Sequence, residues 1–114
     1  MKDNEFWTAL DKLILESNIV IDRPKGSKHP KYEDNIYKLD YGYLENTSSM
    51  DGSGIDVWRG SLNENICDAI VCTVDLIKKD SEIKIFIGCT EDEKNIIMNS
   101  FDNKNQKGIL IRRR

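Results

Sequence analysis

Short β-prone segments separated by turn residues are the feature that most constrains the fold of this chain. The segment EIKIFIG, residues 82–88, alternates polar and apolar residues and is typical of a half-buried strand. Turn signals such as the Asp51-Gly52 pair recur along the chain. Because no regular strand–helix alternation is present, the pattern favours a small antiparallel β-barrel. The predicted strands are residues 18–22, 36–43, 55–58, 66–77, 82–88 and 109–111.

Two helices are expected to flank these strands. An apolar stripe that starts at Phe6 and reaches Ile14 predicts an N-terminal helix, capped by Asp3 or Asn4 and ending near residues 17–18. A T-x-x-E capping box at residues 90–93 predicts the start of a C-terminal helix. The 114 residues are enough for one domain, so the chain is predicted to be mainly β with one helix near each end.

Composition argues against several classes of function. The net charge of -3 argues against bulk nucleic-acid binding through a basic face. No apolar run approaches the roughly 20 residues of a membrane span, and no signal segment opens the chain. An odd count of three cysteines without a C-x-x-C pair indicates reduced thiols. We therefore expect a cytoplasmic protein with no membrane partner, and a homo-oligomer stays open.

A basic loop follows the first predicted strand. Residues 23–33 contain two prolines, one glycine, the only histidine (His29) and four cations, namely Arg23, Lys25, Lys28 and Lys31. One interpretation is a solvated loop, which is usual for a run of charges. The other is a phosphate-binding loop, because prolines limit the entropy lost on ordering and lysines meet phosphate as point charges.

Two acidic groups suggest a cation site. Asp51 and Asp56 flank a glycine-rich turn, and a later hairpin contains Asp80, Glu82 and Lys84. Oxygen ligands without histidine or cysteine companions suit Mg²⁺ or Mn²⁺. Carboxylates and lysines together suit a metal-bridged phosphate, although such acids are more often simply solvated.

The order of these motifs resembles that of the soluble, metal-dependent inorganic pyrophosphatases. The similar segments are I-D-R-P at 21–24, K-Y-E at 31–33, Y-x-x-x-Y-G-Y at 37–43, D-G-S-G-I-D-V at 51–57 and the hairpin acids with Lys84. The resemblance covers residues 18–88. It implies a small OB-like β-barrel with flanking helices in a single domain, residues 1–114.

The resemblance also implies an activity and a site. The expected reaction is hydrolysis of pyrophosphate, or another phosphoanhydride, by a water activated by Mg²⁺ or Mn²⁺. Asp51, Asp56 and Glu82 would ligate the central metal ions. Asp22 and Asp80 would assist further ions. The phosphates would be held by Lys31, Tyr41 and Lys84.

Several positions depart from the family pattern. Ser53 replaces an aspartate of the catalytic set that includes Asp51 and Asp56, and a serine is not a carboxylate base. A hairpin that carries a phosphate-binding arginine is missing, and Arg23, Lys25 or Lys28 are the expected substitutes. A C-terminal Tyr-Lys pair is also missing, unless the arginines at 112–114 reach the site. Two alternatives follow: a non-catalytic or altered-substrate module that binds phosphate or nucleotide, and an oligonucleotide-binding barrel with stacking tyrosines.

Overall fold

A computed structural model describes residues 2–49 and 52–114 of the chain. Asp51, one of the expected metal ligands, therefore lies outside the described residues. The element order is helix, five strands, helix, strand, as the sequence predicts. The elements are α1 Lys2–Leu15, β1 Ile19–Arg23, β2 Asp40–Leu44, β3 Asp56–Arg59, β4 Ala69–Asp75, β5 Asp80–Ile87, α2 Glu91–Ser100 and β6 Gln106–Arg112.

The six strands form one mixed sheet in the order β1-β2-β3-β5-β4-β6. Four of the strand pairs are antiparallel, and β3 and β5 are parallel. The parallel pair arises because the β4–β5 hairpin folds back so that β5 lies between β3 and β4. The prediction of purely antiparallel pairing is therefore wrong at this position. Within the described residues β1 and β6 are the two edges and the sheet is open, so the predicted closed barrel is not confirmed.

The strand boundaries differ from the predicted ones for local reasons. β4 stops at Asp75, two residues before the predicted end, because the Asp75 carboxylate accepts hydrogen bonds from the backbone N–H groups of Ile77 and Lys78. β4 also starts later than predicted, at Ala69. Residues 36–39 precede β2 instead of belonging to it, and β6 extends beyond its predicted range at both ends.

The predicted capping residues are wrong for α1 and correct for α2. The predicted caps Asp3 and Asn4 lie inside the first turn of α1, so the capping prediction is wrong, although acids there favour the helix dipole. The capping box of α2 is confirmed. Thr90 Oγ1 accepts from the N–H of Glu93, and Glu93 Oε1 accepts from the N–H of Thr90 at 2.8 Å.

Each helix covers one face of the sheet. Trp7 and Ile14 of α1 are buried against one face in a core that includes Val57 and Ile85. Ile97 of α2 is buried in a second core on the opposite face, which is centred on the strand residues Trp58, Val71 and Phe86. In the described part of the chain, neither helix is long and apolar enough to cross a membrane.

Candidate functional site

A cleft of about 510 Å³ opens on the face of the sheet that α2 partly covers. Strands β1, β2, β3 and β5 contribute to it, together with residues 53–54 and the β4–β5 turn. Most of its lining is polar. The lining residues are Asp22, Arg23, Tyr41, Gly42, Tyr43, Ser53, Gly54, Asp56, Lys78, Glu82 and Lys84.

Lys84 is the centre of the cleft. Its Nζ donates to Asp56 Oδ2 at 2.7 Å and to Glu82 Oε2 at 3.2 Å. It also donates to Tyr41 Oη at 2.8 Å. The side chains of Lys84, Asp56 and Glu82 are only 12%, 23% and 13% exposed. One ammonium group therefore holds two largely buried carboxylates side by side.

Strand register explains this arrangement. Asp56 lies directly opposite Lys84 in the parallel β3–β5 pair. Glu82 precedes Lys84 by two residues on β5, so both side chains point to the same face, as the sequence predicts. On the other side of β3, Tyr43 lies opposite Asp56 and Tyr41 lies opposite Trp58. The side chains that contact the Lys84 ammonium therefore come from three adjacent strands, β2, β3 and β5.

The environment fixes the ionisation of the central groups. Burial disfavours the charge on Lys84, but the Tyr41 oxygen and the Asp56 carboxylate outweigh it and raise the pKa of the ammonium above its ordinary value. Burial is also the main cause that raises the pKa of Tyr41, with a smaller contribution from Asp56. At neutral pH the cleft therefore presents a charged lysine and an un-ionised tyrosine.

A bulge in β1 brings two further charged residues to the cleft. The β1–β2 register shifts between Ile21 and Arg23, which leaves Asp22 as the extra residue. Gly42 permits the close approach of β2, since a Cβ there would lie 1.7 Å from the carbonyl oxygen of Val20. Asp22 and Arg23 consequently both line the cleft.

Stacked aromatic rings support the cationic side of the cleft. Arg23 donates to Tyr37 Oη and lies over the Tyr37 ring, 5.6 Å from its centroid. Tyr37 stacks on Tyr41 at 5.5 Å, and Tyr41 contacts Trp58 at 4.4 Å between ring centroids. Lys84 Nζ lies 5.4 Å from the centroid of Tyr41. This stack, which sequence reasoning did not foresee, positions Arg23 and Lys84 on a rigid base.

The three lysines of the basic loop do not reach the cleft lining. Lys25, Lys28 and Lys31 are exposed, and among the described residues only Arg23 of the predicted loop cations lines the cleft. His29 has a structural role here, because its Nδ1 accepts from the N–H groups of Lys31 and Tyr32 at 3.0 and 3.2 Å. Burial is the main cause that lowers the pKa of His29, and nearby cations add to it.

The donor set for a metal ion is incomplete in the described part of the chain. No three histidine, cysteine, aspartate or glutamate side chains in residues 2–49 and 52–114 are close enough to hold an ion by themselves. Asp80 begins β5 but does not line the cleft. Asp56 and Glu82 nevertheless offer hard oxygen ligands, and the Lys84 ammonium stands between them as a cation. Carboxylate oxygens are among the ligands that Mg²⁺ prefers in proteins.

Lys78 lines the cleft and is absent from the site that the sequence predicts. It lies on the β4–β5 turn, next to the predicted hairpin acids. Its position depends on the Asp75 carboxylate, which closes that turn and ends β4 early. The local signal is an Asp three residues before a lysine pair, which favours a turn that begins at Asp75.

The C-terminal arginines are held away from the cleft. Arg112 pairs with Glu91 at 2.8 Å, and Arg113 pairs with Asp11 at 2.8 Å. Neither arginine lines the cleft, so neither of them replaces the Tyr-Lys pair that the sequence lacks. Their partners lie at the first turn of α2 and on α1, not on the cleft strands.

Comparison with known proteins gives no assignment. No protein-family model matches the chain, and no curated protein matches it. The interpretation of its function therefore depends on the chemistry of the cleft.

Proposed function

We propose that this chain binds pyrophosphate together with Mg²⁺ in the cleft and hydrolyses it to phosphate. The observation that carries the proposal is the convergence of carboxylates and cations from separate segments of the chain. Asp22 and Arg23 come from β1, Asp56 from β3, and Glu82 and Lys84 from β5. A diphosphate with a bound divalent cation presents both charges and needs partners of both signs.

The cations and hydroxyl groups of the cleft are the proposed phosphate ligands. Arg23 offers a planar fork of donors, and Lys84 offers a compact charge that is only 12% exposed. Tyr41 and Lys78 add donors at the same surface. Lys25, Lys28 and Lys31 do not line the cleft, so we assign them no contact with the diphosphate.

The carboxylates of the cleft are the proposed ligands of the divalent cation. Asp56 and Glu82 would hold it, with Asp22 nearby on the bulge. When bound, Mg²⁺ neutralises diphosphate charge and makes a coordinated water more acidic. Ser53 lines the cleft, but its hydroxyl is not a base near neutral pH. In this proposal a cleft carboxylate accepts the proton that the attacking water loses.

The direct test is phosphate release from pyrophosphate with and without Mg²⁺. We expect Mg²⁺-dependent release by the native chain and a loss of at least a hundredfold in Asp56→Asn, which removes a charged oxygen ligand. Asp102→Asn is the matched control, because Asp102 also accepts from a lysine at 2.7 Å but lies outside the cleft. Equal rates in the two variants would refute the site, and no release by the native chain would refute the reaction.

The second candidate function is a module that binds a phosphate or nucleotide without hydrolysis. Two observations favour it: Ser53 stands where an acid is expected, and Lys84 already contacts one oxygen each of Asp56 and Glu82. Calorimetry separates the two candidates. Binding of pyrophosphate or a nucleoside diphosphate without phosphate release in the presence of Mg²⁺ would select the binding module.

A further inference from the structure

We propose that Lys84 competes with the divalent cation for Asp56 and Glu82, so that the cleft accepts a metal ion efficiently only together with a phosphate. This inference rests on the proposed function in taking a divalent cation as a ligand of the cleft. It adds an order to binding: the ammonium must leave the carboxylates before they can ligate the ion.

The contacts of Lys84 motivate the competition. Its Nζ lies 2.7 Å from Asp56 Oδ2 and 3.2 Å from Glu82 Oε2, within the range of charge-assisted hydrogen bonds. A divalent cation bound by both carboxylates would stand close to the same ammonium group. Like charges at such short range repel strongly in a partly buried site, where water screens them poorly. Metal and ammonium therefore exclude one another at these two oxygens.

Release of the ammonium requires another anion. Lys84 is only 12% exposed, so it cannot simply turn into bulk water without abandoning its partners. Arg23 and Lys78 line the same cleft, which makes an anion in that space favourable. A phosphate oxygen gives the Lys84 ammonium a new partner and leaves both carboxylates to the metal ion. Phosphate and metal thus favour each other's binding, a reciprocal coupling between two ligands.

Mn²⁺ titration followed by electron paramagnetic resonance tests this without reference to turnover. We expect weak Mn²⁺ binding by the native chain and binding at least tenfold tighter in Lys84→Met, within the usual range of such coupling. Lys78→Met is the matched control, because it removes the same charge from the cleft lining without touching an ion pair of Asp56 or Glu82. We expect a change of less than about threefold in this control.

A second measurement keeps the proposal testable if Lys84→Met does not fold. Inorganic phosphate should tighten Mn²⁺ binding by the native chain and should have a smaller effect in Lys84→Gln. The proposal is overturned if Mn²⁺ affinity is unchanged in folded Lys84→Met, if Lys78→Met shows the same gain, or if phosphate leaves Mn²⁺ binding by the native chain unaltered.

The outcomes also separate this inference from the proposed function. Tighter Mn²⁺ binding in Lys84→Met without any pyrophosphate hydrolysis by the native chain would support the competition and reject the enzyme. Hydrolysis by the native chain with no gain in Mn²⁺ affinity in Lys84→Met would retain the enzyme and reject the competition.

Discussion

Replacing Glu93 with alanine removes a carboxylate that joins the start of α2 to the loop after β3. Glu93 Oε1 accepts from the N–H of Thr90 at 2.8 Å, and its two oxygens accept from the N–H of Ser61 at 3.2 and 3.1 Å. Each N–H that loses a charged acceptor costs about 1.5 kcal/mol, a low value because water can reach these donors. We therefore expect a loss of about 2 to 3 kcal/mol in unfolding free energy and a Tm lower by roughly 10 °C.

Urea unfolding of Glu93→Ala, Glu93→Gln and the surface control Glu45→Ala measures this effect. The glutamine variant keeps an acceptor oxygen but loses the charge, so its loss should be about half as large. If both Glu93 variants unfold within about 0.5 kcal/mol of the native chain, as expected for ordinary surface substitutions, the proposed junction is wrong.

The lowered pKa of the Glu93 carboxylate also makes the unfolding free energy depend on pH. Burial opposes ionisation of Glu93, but the bonds from Thr90 and Ser61 outweigh it and lower its pKa below the usual value of 4.5. A carboxylate with a lowered folded-state pKa stabilises the fold fully above its usual pKa and loses that contribution as the pH falls through the folded-state pKa. The difference in unfolding free energy between the native chain and Glu93→Gln should therefore shrink from pH 6 to pH 3. A constant difference would mean that the ionised carboxylate is not the stabilising form.

Two further predictions test the sheet and the core. Gly42→Ala should destabilise the chain by about 3 kcal/mol in urea unfolding, because the new Cβ would lie 1.7 Å from the carbonyl oxygen of Val20. Gly26→Ala is the control: its new Cβ meets no atom within 4 Å, so it should lower the unfolding free energy by only about 1 kcal/mol through the positive φ of Gly26. Equal losses in the two variants would contradict this prediction. A thiol reagent at pH 8 should modify only Cys72 quickly in the native chain, because burial raises the pKa of Cys67 to about 11 and of Cys89 to about 12. Fast reaction of two or three thiols before denaturant is added would show that the core is more accessible than the structure indicates.

Local patterns predicted much of the fold. The alternation of residues 82–88 predicted β5, and the T-x-x-E motif predicted the start of α2, where both reciprocal hydrogen bonds are present. The order of helices and strands followed from the same periodicity. The parallel pairing of β3 with β5 could not be read in this way, because it depends on where the β4–β5 hairpin docks. The sequences of β3 and β5 do not by themselves determine that these two strands pair.

The candidate site also contains contacts that the sequence predicts and contacts that depend on strand pairing. Glu82 and Lys84 share a face because side chains alternate along a strand, so the sequence alone brings them together. The 2.7 Å contact between Asp56 and Lys84 is a product of the β3–β5 register and required the structure. The resemblance to pyrophosphatases nevertheless selected most of the residues that the fold then gathers in one cleft.

Composition did not predict the conformation of the basic loop. Its four cations suggest a surface for phosphate, but the loop forms backbone hydrogen bonds with the segment that leads into β2, and only Arg23 among its cations lines the cleft. The N–H of Gly26 donates to the carbonyl of Tyr37 at 2.8 Å, and the N–H of Tyr37 donates to the carbonyl of Ser27 at 2.9 Å. These bonds pair the loop with the segment before β2, and the lysines of the loop are exposed to solvent. Charge counts along the chain cannot reveal such a closure.

The residues of the cleft differ in how firmly the sheet holds their backbones. Asp56 and Lys84 lie on neighbouring inner strands whose adjacent residues Val57 and Ile85 are buried in the core, so their backbones cannot shift independently. Ser53 and Lys78 lie outside the strands, and Asp22 lies at a bulge of an edge strand. The sheet therefore constrains the backbones of Asp56 and Lys84 more tightly than those of Ser53, Lys78 and Asp22. Under the proposed competition, the side chain of Lys84, and not a movement of the sheet, decides when Asp56 and Glu82 are available to a cation.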